Sequence, residues 1–166
     1  MQFSVKRDVL LKSLTFVQGV VEKKNTLPIL SNVLLILNEG KLKIVATDMD
    51  IVFYDEISDV KVEKEGSTTT SASVLYDILR KITNNSSVSF NLSNDNKLSI
   101  KADNADFNLL CLAPDNFPSF PEEFSSDIIS INRDQFLSLL NKTRISISND
   151  DTRHYLNGVF LHITSG

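Results

Sequence analysis

Thr26-Leu-Pro-Ile-Leu-Ser-Asn-Val-Leu-Leu-Ile-Leu37 returns later in the chain, in weaker form, as Thr152-Arg-His-Tyr-Leu-Asn-Gly-Val-Phe-Leu-His-Ile163. The offset is 126 residues, and at the same offset Phe3 to Leu14 lies over Ile129 to Leu140 without a gap. Ser4/Ser130, Arg7/Arg133, Asp8/Asp134, Leu11/Leu137, Leu14/Leu140, Leu30/Leu156, Val33/Val159 and Leu35/Leu161 are identical pairs. Two separated blocks in one register mark the duplication of a whole domain, because the period is far too long for the short stacked units of a solenoid. The 166-residue chain is therefore expected to hold one complete unit at 1–125 and the opening portion of a second at 126–166, where the repeat breaks off.

A hydrophobic content of 42% with 23% charged residues suits a globular protein with a real core and speaks against disorder. Met1-Gln-Phe-Ser-Val-Lys6 lacks the basic and apolar parts of a signal peptide, and no apolar run reaches membrane-spanning length, so a cytosolic location and no membrane partner are expected. Cys111 is the single cysteine, flanked by leucines, which excludes disulfides within the chain and points to a small core residue. The net charge of −4 argues against general affinity for polyanions but leaves room for a local basic surface.

Gln2 to Val5 alternates as a strand, and Leu10, Leu14, Val17 and Val21 space out one apolar stripe of a helix over Arg7 to Val21. Leu30 to Leu37, Lys41 to Ala46 and Ile51 to Ile57 follow as three antiparallel strands, joined by turns at Asn38-Glu-Gly40 and Asp48-Met-Asp50. The same order then starts again: Ser67 to Thr70 as a strand, a helix marked by Val74, Leu75, Ile78, Leu79 and Ile82, and strands at Val88–Ser93, Lys97–Ala102 and Asp106–Leu112. A strand-helix-three-strand unit written twice, with about eight strands and two helices, implies an α+β sheet sandwich with both helices on one side. The proline-rich segment from Ala113 to Glu123 reads as a linker. Beyond it Ile128 to Asn132 is expected as a strand, Arg133 to Asn141 as a helix and Leu156 to Ile163 as a strand.

No glycine-rich phosphate loop, Cys-x-x-Cys, His-x-x-x-His or nucleophile elbow is present, so no catalytic residue and no cofactor is assigned. His154 and His162 have no companion at ligand spacing. Asp48 and Asp50 could hold Mg²⁺ in a metal-dependent nuclease or phosphohydrolase, or simply shape the turn in which they sit. Arg7, Lys12, Arg80, Lys81, Arg133 and Lys142 all fall on the three expected helices, while acids collect at Asp48 to Asp59 and Asp115 to Asp127. A basic helix face could follow a phosphate backbone without reading bases, although basic residues also commonly cover solvated helix faces.

Phe3-Ser-Val-Lys-Arg-Asp8, Thr26-Leu-Pro-Ile-Leu-Ser-Asn-Val-Leu34, Ala46-Thr-Asp48, Phe117-Pro118 and Arg153-His-Tyr-Leu-Asn-Gly158, in this order, resemble the bacterial DNA polymerase III β subunits, the sliding clamps. The resemblance runs the length of the chain. It implies the DNA-clamp fold and a non-catalytic processivity factor: a head-to-tail ring of two copies around double-stranded DNA, which tethers the replicative polymerase and is placed by an ATP-dependent clamp loader. It places Arg7, Lys12, Arg80 and Arg133 on helices lining the hole, and Lys24, His154 and Tyr155 in loops that touch DNA. It also implies a ring interface at Val74, Ile78, Phe107 and Leu109, and the margin of a partner-peptide pocket at Arg153 and Leu156. The family's ring interface needs a third domain as its complement, so these 166 residues are not expected to close a ring. The truncated second domain is expected to expose strand edges and apolar surface. A free-standing interaction domain that forms no ring is the remaining alternative.

Overall fold

Phe3 and Val5 point to one side of the first strand, β1 (Gln2–Lys6), and both are almost wholly buried, with the Phe3 ring stacked 4.7 Å from that of Phe90. The computed structural model describes residues 1–21, 27–120, 129–148, 150 and 152–163, and the chain divides into two units, Met1–Phe120 and Pro121–Gly166.

In the first unit β1 leads directly into α1 (Arg7–Val17), followed by β2 (Asn32–Asn38), β3 (Lys41–Thr47), β4 (Val52–Ile57) and β5 (Val60–Lys64). The second half runs β6 (Gly66–Ser71), α2 (Ala72–Lys81), β7 (Ser87–Leu92), β8 (Lys97–Ala102) and β9 (Ala105–Leu112). The strands form one antiparallel sheet in the order β4-β3-β2-β6-β9-β8-β7-β1-β5. β4 and β5 stand at opposite ends of this order, yet only Ser58 and Asp59 separate them in sequence. So short a link spans at most about 10 Å, so the sheet has to curl back on itself into two layers. Leu10, Leu14 and Val17 of α1 and Ala72, Leu75 and Leu79 of α2 are fully buried, and the two helices lie against each other.

β5 is a strand in a stretch to which the sequence pattern assigns no element, although Val60 and Val62 alternate with Lys61 and Glu63 in strand fashion. α1 ends at Val17 instead of Val21, because Gly19 is a poor helix former and the chain leaves the helix through tight turns closed by Gly19 N–H to Phe16 and Val20 N–H to Val17. Pro28–Ser31 is a single 3-10 turn, so the strand expected from Leu30 begins at Asn32. Between β2 and β3, Glu39 and Gly40 both have positive φ, 51° and 75°, the turn geometry that matches strand twist and that glycine accepts without strain.

In the second unit α3 (Arg133–Thr143) forms with Asn132 as its N-cap, the side chain accepting from the backbone N–H of Asp134 and Gln135 at 3.1 Å. The two strands expected around it do not form among the described residues: 129–132 and 157–163 are irregular, and Leu156 ends a 3-10 turn, His154–Leu156. A helix closes its own hydrogen bonds, whereas a strand exists only beside a ladder partner. Ile129, Ile131, Leu139, Ile145, Phe160 and Leu161 are accordingly exposed.

Leu10→Ala and Leu79→Ala, both at fully buried positions, should each lower stability by about 2–5 kcal/mol in urea unfolding. Leu110→Ala, at a position 78% exposed, should stay within about 0.5 kcal/mol of wild type.

Candidate nucleic-acid and subunit interfaces

The helix pair is antiparallel and tied at both ends. At one end the Arg7 guanidinium donates from Nε to the carbonyl of Leu79 at 2.8 Å and from Nη2 to that of Arg80 at 3.2 Å, the last carbonyls of α2. Its Nη1 meets Asp8 Oδ1 at 2.6 Å, and Asp8 Oδ2 accepts from the N–H of Asn85 at 2.7 Å. At the other end Gln18 Nε2 donates to the carbonyl of Ala72 at 3.2 Å. A cation at a helix C-terminus both satisfies open carbonyls and meets the negative end of the helix dipole. The Arg7 side chain is only 10% exposed, so its charge serves the joint between the helices and is not presented to solvent as the sequence reading expected.

Lys12, Arg80 and Lys81 are exposed on α1 and α2, and among the described residues none of them enters an ion pair. Arg80 lies over the Tyr76 ring at 5.5 Å, which orients the guanidinium without neutralising it. Cations left in this state are open to diffuse attraction by phosphates. Arg133 is also exposed and touches Asp134 at 3.1 Å, repeating the Arg7–Asp8 pair in the second copy. Lys24 lies outside the described residues. The backbone of His154 falls in the 3-10 turn of the second unit, its side chain lies outside the described residues, and Tyr155 beside it is 83% exposed. Arg153 is held by Asp150 at 3.4 Å, with Leu156 partly exposed nearby in sequence.

Of the four expected interface residues, Val74 and Ile78 lie on α2, and Phe107 and Leu109 on β9. Over Ala105–Leu110, β9 pairs only with β8, and β6 joins it only at Cys111 and Leu112. The outer side of 105–110 is thus an open strand edge among the described residues, with Phe107 and Leu109 half-buried on its inner face. Val74 of α2 is 44% exposed, while Ile78 is 8% exposed and already belongs largely to the core.

Asp48 and Asp50 build a turn. Asp48 Oδ1 accepts from the N–H groups of Asp50 at 3.0 Å and Ile51 at 2.7 Å, an arrangement in which the carboxylate substitutes for backbone acceptors. Among the described residues no group of three or more His, Cys, Asp or Glu could hold a metal ion. No helix of the described residues is long and apolar enough to cross a membrane.

A doubled strand-helix-three-strand unit with an antiparallel helix pair and an open edge defines an α+β clamp domain. The sequence profile of the DNA polymerase III beta subunit, N-terminal domain, matches residues 1–121. The Beta sliding clamp of Caulobacter vibrioides is 39% identical over 163 residues, covering 98% of this chain and 44% of that protein, and that of Pseudomonas aeruginosa is 32% identical over 166 residues. Among solved structures, Caulobacter crescentus pol III beta matches the whole chain with a TM-score of 0.92 at 38% identity. A Bartonella birtlesii sliding clamp bound to griselimycin matches it with a TM-score of 0.93 at 35% identity. The chain therefore belongs to the DNA polymerase III beta subunit family. It spans less than half the length of these relatives, 44–45%.

The Arg7 contact to Asp8, the N–H of Asn85 and, less directly, the Arg7 charge hold the Asp8 carboxyl below the usual carboxylate range. A depressed value in the folded state means that Asp8 stabilises the fold above the ordinary carboxylate pKa and that this contribution is lost as pH falls through the folded value. Asp8→Asn should therefore flatten the acid limb of a thermal stability profile and leave its alkaline limb unchanged. Arg7→Met should cost about 2–4 kcal/mol in denaturant unfolding, because two α2 carbonyls lose a charged donor.

Proposed function

We propose that this chain is the amino-terminal part of a sliding clamp, a non-catalytic processivity factor that encircles duplex DNA and holds the replicative polymerase to it. The likeness of the entire chain to sliding-clamp structures carries this reading. The ring is built head to tail from two copies of the full protein, with Val74, Ile78, Phe107 and Leu109 meeting the neighbouring copy along the open β9 edge. An ATP-dependent loader places it, and it works in the cytoplasm. Residues 1–125 form its first domain and 126–166 open its second.

Attraction to DNA has to be weak at each point if the ring is to slide, so a few exposed, screened cations suit the task better than tight ion pairs. Lys12 and Arg80 supply that attraction in the first domain, and Lys24, Arg133, His154 and Tyr155 extend it. Arg7 acts indirectly, by fixing the helices that present these residues. Arg153 and Leu156 lie at the margin of the pocket for partner peptides.

Loaded on nicked circular duplex, the assembled protein should remain bound and should escape once the circle is linearised; equal loss from both templates would rule out topological binding. Replacing Lys12 and Arg80 by alanine in both copies should reduce the slope of log K against log salt by roughly 4, about one per lost phosphate contact. Arg7→Met should leave that slope unchanged.

A further inference from the structure

Arg80 is held at both its backbone and its side chain. Its carbonyl accepts from Arg7 Nη2 at 3.2 Å, and its guanidinium lies over the Tyr76 ring, 5.5 Å from the centroid. The two residues stand one helical turn apart on α2, a spacing at which helical side chains meet. Tyr76 is half-buried and packed against the core of the first unit, which makes its ring a fixed platform.

The stack decides a competition for the cation. Asp77 lies three residues before Arg80 and four before Lys81, spacings at which a carboxylate ordinarily pairs with a cation on a helix surface. All three side chains are exposed, yet among the described residues neither ion pair forms, and the Arg80 guanidinium sits on the ring instead. For a phosphate the difference matters. An ion pair with Asp77 would offset the charge and occupy N–H donors along the edge of the guanidinium. Stacking uses only the flat face, so the charge and the edge donors both stay available. Lys12 and Lys81 lie over no ring among the described residues, and their ammonium groups are placed only by flexible stems.

We infer that Tyr76 is a positioning residue for duplex DNA: it holds Arg80 ready for a phosphate, in place of a pairing with Asp77, without meeting the DNA itself. The inference rests on the reading of Arg80 as a DNA contact. A side chain ordered before binding gives up less conformational freedom when it binds, so the ring contributes to affinity. The number of phosphates contacted, and with it the salt dependence, belongs to the cation.

The test is a salt series of binding to linear duplex by the assembled full-length protein, read by fluorescence anisotropy, with each substitution in both copies and the fold checked by circular dichroism. Tyr76→Leu should weaken binding about two- to tenfold for each copy and leave the slope of log K against log salt unchanged. Tyr76→Phe, which keeps the ring face, should bind as wild type. In an Arg80→Ala background, whose own slope should fall by roughly 2, Tyr76→Leu should have no further effect. Wild-type affinity in Tyr76→Leu, or an equal loss with and without Arg80, overturns the inference and leaves Arg80 in place as a DNA contact. A loss in Tyr76→Phe equal to that in Tyr76→Leu also overturns it, since the hydroxyl would then be the group that DNA meets. Wild-type affinity and slope in Arg80→Ala remove the reading of Arg80 and the inference together. Should Tyr76→Leu fail to fold, Tyr76→Met, which keeps apolar bulk without a ring, is measured in its place with the same outcomes.

Discussion

The joint between α1 and α2 is the contact on which the first unit depends. Its apolar part is the set of fully buried leucines from both helices, and its polar part is the Arg7 guanidinium closing the last carbonyls of α2. Leucine burial supplies most of the free energy but specifies orientation poorly, because apolar contact is non-directional. A planar, forked cation bonded to two particular carbonyls does specify it. The strands β1 and β6 that lead into the helices set their direction, and that bond ties the end of α2 to the start of α1 in the antiparallel setting.

The charge pattern acquires meaning only after this joint is recognised. Six basic residues fall on helices, but proximity in sequence does not distinguish a cation that builds the fold from one that faces a ligand. Arg7 builds, while Lys12, Arg80 and Lys81 face outward. Asp8, which sequence reasoning passed over, proves to hold both Arg7 and the Asn85 turn. The one available signal was the recurrence of Arg-Asp at Arg133-Asp134, where the same pair forms again.

The sheet adds a second asymmetry. Its two halves are built alike, yet β9 carries Phe107 opposite Ile100 where β4 carries Asp55 opposite Ile44. Internal duplication supplies equivalent positions, and a few of them have diverged in chemistry.

Much of this protein was legible in residue order alone. The 126-residue repeat, the leucine stripes of both helices and the alternating strands set out a doubled α+β unit, because helical and strand periodicities are local properties. Turn residues such as Gly40 and Asp48 were equally plain, since the backbone they require is local too. Only the tertiary structure decided that β5 pairs with β1 and draws the sheet closed, that Arg7 is buried, and that Ser13 meets Asp55 across 42 residues of chain. Each of these is a contact between distant segments. Local pattern says which face of an element is apolar, but which polar group that face meets depends on how the elements are packed together.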